Sequence, residues 1–167
     1  MDKRQVARLL QRAPWIGYVA QTLYRIFQPR LTVGAVGAVF NSEGRLLIVE
    51  HVFHPLYPWG LPGGWMGRHE EPAETVCREV REETGLAVIP EKPLLVVRTP
   101  YLPMHLDIAF LCRLADGIDG RHIRLSSELL SYRWAAPDEI PPMASFSRRA
   151  VEAALAARSN SFTEVIQ

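Results

Sequence analysis

The segment GWMGRHEEPAETVCREVREETGL, residues 64–86, decides how the rest of the chain is read. Glu71 to Thr84 has helical texture, with Pro72 near its start, where a missing N–H is harmless, and Gly85 just past its last turn. At about 100° per residue, Ala73, Val76, Cys77 and Val80 form an apolar side that should face a sheet. Glu74, Arg78 and Arg81 fall broadly opposite, towards solvent. Glu79, Glu82 and Glu83 share a third sector beside the apolar stripe, because i, i+3 and i+4 are neighbours on a helix.

That third sector has a cost. Glu79 and Glu83 are like charges one turn apart, and both lie near the helix C-terminus, where the macrodipole disfavours anions. Arg78 can relieve Glu82, but no cation is placed to neutralise all three acids. A hard divalent cation, Mg²⁺ or Mn²⁺, would do so, since clustered carboxylate oxygens are its preferred ligands. The plain alternative is a solvated acidic face. Just upstream, Leu61-Pro-Gly-Gly64 reads as a strand end leading into a tight loop, where Gly63 and Gly64 let the backbone approach a ligand closely. Glu70 stands just before the helix, so loop, Glu70 and helix could enclose one polyanionic site. Bare carboxylates repel phosphates, so such a site holds phosphates only through bridging metal.

Outward from this segment the pattern alternates. Leu31–Phe40 and Arg45–Phe53 read as strands joined by a turn at Asn41–Gly44, which suggests a hairpin. Trp59–Pro62 is a short strand, Leu86–Ile89 and Leu94–Arg98 are strands separated by a loop with Pro90 and Pro93, and His105–Leu114 and Leu130–Ala135 follow. A last helix covers Ser147–Arg158. Strands and helices without a long linker or repeat predict an α/β layered domain with a mixed sheet over residues 31–167.

Residues 1–30 differ in texture. Pro14 suits the first position of a helix, and Ile16, Val19, Leu23 and Phe27 then give it one apolar face. This helical extension should pack on its own domain or on a second subunit, so a homodimer is an option. A membrane-surface role fits less well, with Arg25 and Arg30 as its few cations. Lys3 and Arg4 loosely resemble the start of a signal peptide, but Arg8, Arg12, Pro14 and Arg25 interrupt the apolar stretch. A formal net charge of +1 gives no overall field for nucleic acid or an acidic membrane. Two cysteines, Cys77 and Cys112, make no disulfide framework, which points to a reducing, cytoplasmic setting.

Gly64, five residues, Glu70, seven residues, then Arg78-Glu79-Val80-Arg81-Glu82-Glu83-Thr84-Gly85-Leu86 resembles the Nudix box with no defining position missing. Weaker similarity extends over Leu31–Pro142 and includes Trp59-Gly-Leu-Pro-Gly-Gly64 and Tyr132-Arg-Trp134. The resemblance implies an α/β/α sandwich whose box forms a loop–helix–loop. It also implies hydrolysis of a nucleoside diphosphate linked to another moiety. By that likeness Glu79 and Glu83 hold catalytic metal, Glu82 ligates or orients, and Arg78 orients the glutamates by a salt bridge. Glu70 anchors the loop or reaches metal through water. Two positions depart from the commonest pattern: His69 stands where glycine usually precedes Glu70, and Gly67 where an acid is frequent.

The implied reaction is attack of a metal-activated water on phosphorus, with a carboxylate taking the proton. Glu79 is one candidate base, Glu128 in Ser126-Ser-Glu128 another, and Asp107 a weaker third. Trp59, Trp65, Tyr101 and Trp134 are options for stacking on a base, although large aromatics mostly serve the core. Two other functions are compatible with the motif. A ligand-binding or regulatory module of the same fold would normally lack box glutamates. An isopentenyl-diphosphate isomerase would need a catalytic cysteine, and Cys77 lies on the core side of the helix.

Overall fold

The computed structural model describes residues 2–4, 11–28, 30–99 and 102–164. It divides into two compact units, Met1–Arg30 and Leu31–Gln167. In the first, helix α1 spans Pro14–Ile26 with proline in its first turn, and it has no buried residue. Among the described residues no helix is long and apolar enough to cross a membrane.

The second unit is built on a seven-stranded mixed sheet. Strands β1 (Thr32–Phe40) and β6 (His105–Leu114) pair in parallel along their length, from Thr32 opposite His105 to Phe40 opposite Arg113. Strand β5 (Val88–Arg98) runs antiparallel to β6 at the edge. On its other side β1 meets the three-residue β4 (Gly63–Trp65), while β2 (Leu46–His51) pairs with β3 (Trp59–Gly60) and with β7 (Leu129–Ala135).

Helices cover both faces, and the side-chain alternation of the central strands shows why. Ala35 and Val39 of β1 and Leu47 and Val49 of β2 pack with Val76 and Val80 of helix α2 (Pro72–Thr84). Ala38, Phe40, Leu46 and Ile48 point the other way, into a cluster with Ala150, Val151 and Ala154 of helix α3 (Ser145–Glu164). A strand buried on both faces needs apolar residues at every position, which accounts for the unbroken run Leu46–Val49. The architecture is thus an α/β/α sandwich.

Three local expectations change. The Asn41–Gly44 turn forms, with the Asn41 side chain accepting from the Glu43 and Arg45 amides, yet β1 and β2 pair only at Phe40 and Leu46. They then part, because β1 is taken up by β4 and β6. The loop expected at Pro90 and Pro93 is instead continuous edge strand: the register shifts between Pro90 and Lys92 and between Pro93 and Leu95. Proline is tolerated at an edge with such irregularities, because its missing donor need not face a partner. Gly63 and Gly64, expected in a loop, are strand residues of β4.

A carboxylate-lined cavity at the candidate active site

Helix α2 begins at a cap supplied by its own first turn. Glu71 is the N-cap, and the Glu74 carboxylate accepts from the Glu71 amide at 2.9 Å. Its end is closed from outside. Gly85 takes φ 75°, and the amides of Arg124 and Ser126 donate to the carbonyls of Thr84 and Glu83, both at 2.9 Å. These bonds satisfy carbonyls that every helix C-terminus leaves orphaned. They also bring the segment carrying Glu128 to the acidic side of the helix.

The acids meet in a cavity of about 810 Å³. Glu79, Glu82, Glu83 and Glu128 line it, as do Gly63, Gly64, Trp65 and Asp107. Tyr101 lies outside the described residues. Glu83 is 5% exposed, and its carboxylate accepts from the Gly63 amide at 2.9 Å. Burial, with the charges of Glu79, Glu128 and Glu82 behind it, pushes Glu83 up to about 8 despite that hydrogen bond. Burial also raises Glu79, against the pull of Arg78. The Gly64 backbone sits against Glu79 so closely that a Cβ there would fall 2.5 Å from its carboxylate.

Arg78 departs from the expectation of a solvent-facing side chain. It is half-buried and folds back along the helix, because five acceptors lie within its reach. Its Nε and Nη2 donate to the two oxygens of Glu70 at 2.8 and 3.0 Å, and Nη1 donates to Glu79 at 2.8 Å and Glu82 at 3.2 Å. Nη2 also donates to the Trp65 carbonyl at 3.1 Å. Glu70 in turn accepts from the Gly67 amide at 2.8 Å and the Thr75 hydroxyl at 2.9 Å. The Arg78 hydrogen bonds, followed by that of Gly67, hold the Glu70 carboxyl down at about 2. Glu70 is therefore tied into the loop, and Arg78 joins loop to helix.

One guanidinium serving several carboxylates leaves the cavity short of positive charge. The donor set of carboxylate oxygens fits a hard divalent cation by chemistry and by charge. Among the described residues, however, no three acidic, histidine or cysteine side chains are gathered as a metal-holding group. Arg78 engages Glu79 and Glu82, and Gly63 engages Glu83.

The NUDIX domain profile matches residues 28–154. The chain belongs to the Nudix family. It is accordingly a hydrolase of Nudix type. A MutT-like protein of Streptomyces ambofaciens is 31% identical over 123 residues, 74% of this chain and 75% of that protein. The crystal structure of an ADP-ribose pyrophosphatase from Streptococcus suis superposes with a TM-score of 0.62 at 24% identity, over 78% of this chain and 93% of that one. A UDP-X diphosphatase structure gives a TM-score of 0.65 at 20% identity, over 96% and 73%. The two structural likenesses speak for the fold.

Several cavity residues of this Nudix domain went unread in the sequence. His51, His54, Phe53 and Tyr57 come from the β2–β3 segment, and Ser145–Ser147 from the start of α3. The His51 ring lies 4.8 Å from that of His54, and burial together with the His54 charge lowers His51 to about 4. The clustering of His51, His54 and Tyr57 just before Trp59 was the available signal. Of the stacking options, Trp59 and Trp65 line the cavity. Trp134 packs with the α2-side core, and its Nε1 donates to the Gly120 carbonyl at 3.0 Å. Neither cysteine lines the cavity: Cys77 is half-buried with its thiol on the Val88 carbonyl, and Cys112 is buried.

Proposed function

We propose that this Nudix protein hydrolyses the diphosphate linkage of a nucleoside diphosphate joined to a second moiety, with Mg²⁺ as its usual metal and Mn²⁺ as a substitute. The observation that carries this reading is the convergence of Glu79, Glu82, Glu83 and Glu128 on one cavity, where Arg78 reaches only Glu79 and Glu82. A phosphate-bearing substrate cannot approach four carboxylates unless divalent charge accompanies it. Glu79, Glu82 and Glu83 are the residues that would hold the ion. When bound, it lowers the pKa of water and offsets charge developing on the phosphoryl oxygens.

The chain's own residues supply the rest. Arg78 holds Glu79 and Glu82 in place, and the Gly63 amide holds Glu83. Glu79 and Glu128, which line the cavity, are the proposed acceptors of the proton from the attacking water, ahead of Asp107, whose oxygens are engaged by His105 and Thr99. Two structural relatives are an ADP-ribose pyrophosphatase and a UDP-X diphosphatase, and ADP-ribose belongs to the proposed class. The test is product analysis with ADP-ribose, nucleotide sugars, dinucleoside polyphosphates and nucleoside triphosphates in Mg²⁺. Metal-dependent release of a nucleoside monophosphate from a linked diphosphate supports the reading; no turnover of any panel member overturns it.

A further inference from the structure

We propose that Trp65 is a stacking platform for the nucleobase of the substrate and that His105 is the residue that positions it. The proposal rests on the hydrolase reading above and names which part of the substrate the cavity recognises.

Trp65 is fixed at its backbone more firmly than an exposed aromatic requires. Its Cα pairs with Gly34 of β1, its carbonyl accepts from Arg78 at 3.1 Å, and the next amide, Met66, donates to Val33 at 2.8 Å. The side chain is nevertheless 57% exposed at the cavity. Behind it lies the His105 imidazole, with ring centroids 4.7 Å apart and the planes tilted by 48°.

His105 is itself held at both ring nitrogens. It is 5% exposed, with Nδ1 2.8 Å from the Thr32 hydroxyl and Nε2 3.1 Å from Asp107 Oδ1. The other Asp107 oxygen accepts from the Thr99 hydroxyl. Space for this chain of contacts exists because residue 34 is glycine: a Cβ there would lie 3.0 Å from Asp107 and 3.1 Å from His105. The indole is thus braced on one side by a buried imidazole that cannot rotate without losing two partners.

An exposed indole offers a flat π-face on which a nucleobase can stack, whichever base it is. Fixing the indole beforehand also removes an ordering cost on binding. Its place fits as well. Trp65 follows Gly64, whose backbone abuts the Glu79 carboxylate, so a base stacked there stays close to a diphosphate at the acids.

The test compares AMP and UMP with ribose 5-phosphate, which differs from them by the base, in calorimetric titrations of the full chain. Wild type should bind the nucleotides more tightly, and Trp65→Ala should shrink that preference by about tenfold, within the range for base–aromatic stacking. Trp65→Phe should keep most of it. A preference that survives in Trp65→Ala, or its absence in wild type, overturns the platform. His105→Gln, and the isosteric Thr32→Val at an exposed position, should each shrink the preference several-fold while ribose 5-phosphate affinity holds. An unaltered preference in Thr32→Val overturns the positioning role of His105 even if His105→Gln misfolds. In turnover of ADP-ribose, Trp65→Ala should raise KM more than it lowers kcat. Failure of every diphosphate to turn over would overturn the hydrolase reading and leave the titrations to judge the platform.

Discussion

Glu83 shows how one buried acid can serve the site and weaken the fold. Its folded value of about 8 lies above the ordinary 4.5, so between these limits the unfolded chain has lost a proton that the native chain keeps. Stability from this group is complete below about 4.5 and is lost as pH rises towards 8. In metal-free protein, Glu83→Gln should therefore melt like wild type near pH 4 and higher than wild type at pH 8, by about 5 °C or more. Thermal scans in chelator at the two pH values check this. The same variant should lose at least ~10²-fold in Mg²⁺-dependent turnover. Gly64 and Gly63 separate function from folding in another way. A methyl on Gly64 meets only the flexible end of Glu79, so Gly64→Ala should displace that carboxylate and cut activity with little change in melting. A methyl on Gly63 would lie 2.3 Å from the Ala35 carbonyl, which β1 cannot move, so Gly63→Ala should unfold readily. His69, where the family more often has glycine, has φ 64°. His69→Gly should relieve a left-handed backbone and raise the melting temperature slightly, with ~1 kcal/mol at stake before the entropy of glycine is set against it.

At the scale of elements, α2 and the loop before it act as one piece because Arg78 spans them. A lysine has a single charged nitrogen and cannot reach both Glu70 oxygens, Glu79, Glu82 and the Trp65 carbonyl together. Arg78→Lys should reduce kcat/KM by about 10–100-fold, the usual effect of losing a residue that orients metal ligands. Near-normal kinetics in steady-state assays would contradict this account. Glu70 stabilises the loop in the opposite pH direction to Glu83. Its folded value of about 2 lies below the ordinary 4.5, so its contribution is present above 4.5 and fades as pH falls towards 2.

For the molecule as a whole, both core clusters draw, among the described residues, on those between Ala35 and Ala157. Residues 31–167 should therefore fold cooperatively alone, as a single sharp calorimetric transition would show. Residues 1–30 form a compact unit by themselves, in which Trp15, Tyr18 and Leu23 of α1 and the following Phe27 are exposed.

Period and spacing were enough to specify much of this protein. The 3.6-residue pattern of Pro72–Thr84 separates the sheet-facing Val76 and Val80 from the acidic edge, and the box spacing alone points to the family. Such features are local, since neighbours on a helix are neighbours in sequence. The sheet register, the edge strand through Pro90 and Pro93, and the inward turn of Arg78 were decided by partners far along the chain. The same holds for His105, which is 40 residues from Trp65 and meets it only because β4 and β6 flank β1. Glu128 was legible as a candidate acid, but its place beside Glu79 and Glu83 depends on the Arg124 and Ser126 amides capping α2. Sequence periodicity carries a residue's direction on its own element, whereas nearness between elements is set by packing and by backbone groups that burial forces to find a partner.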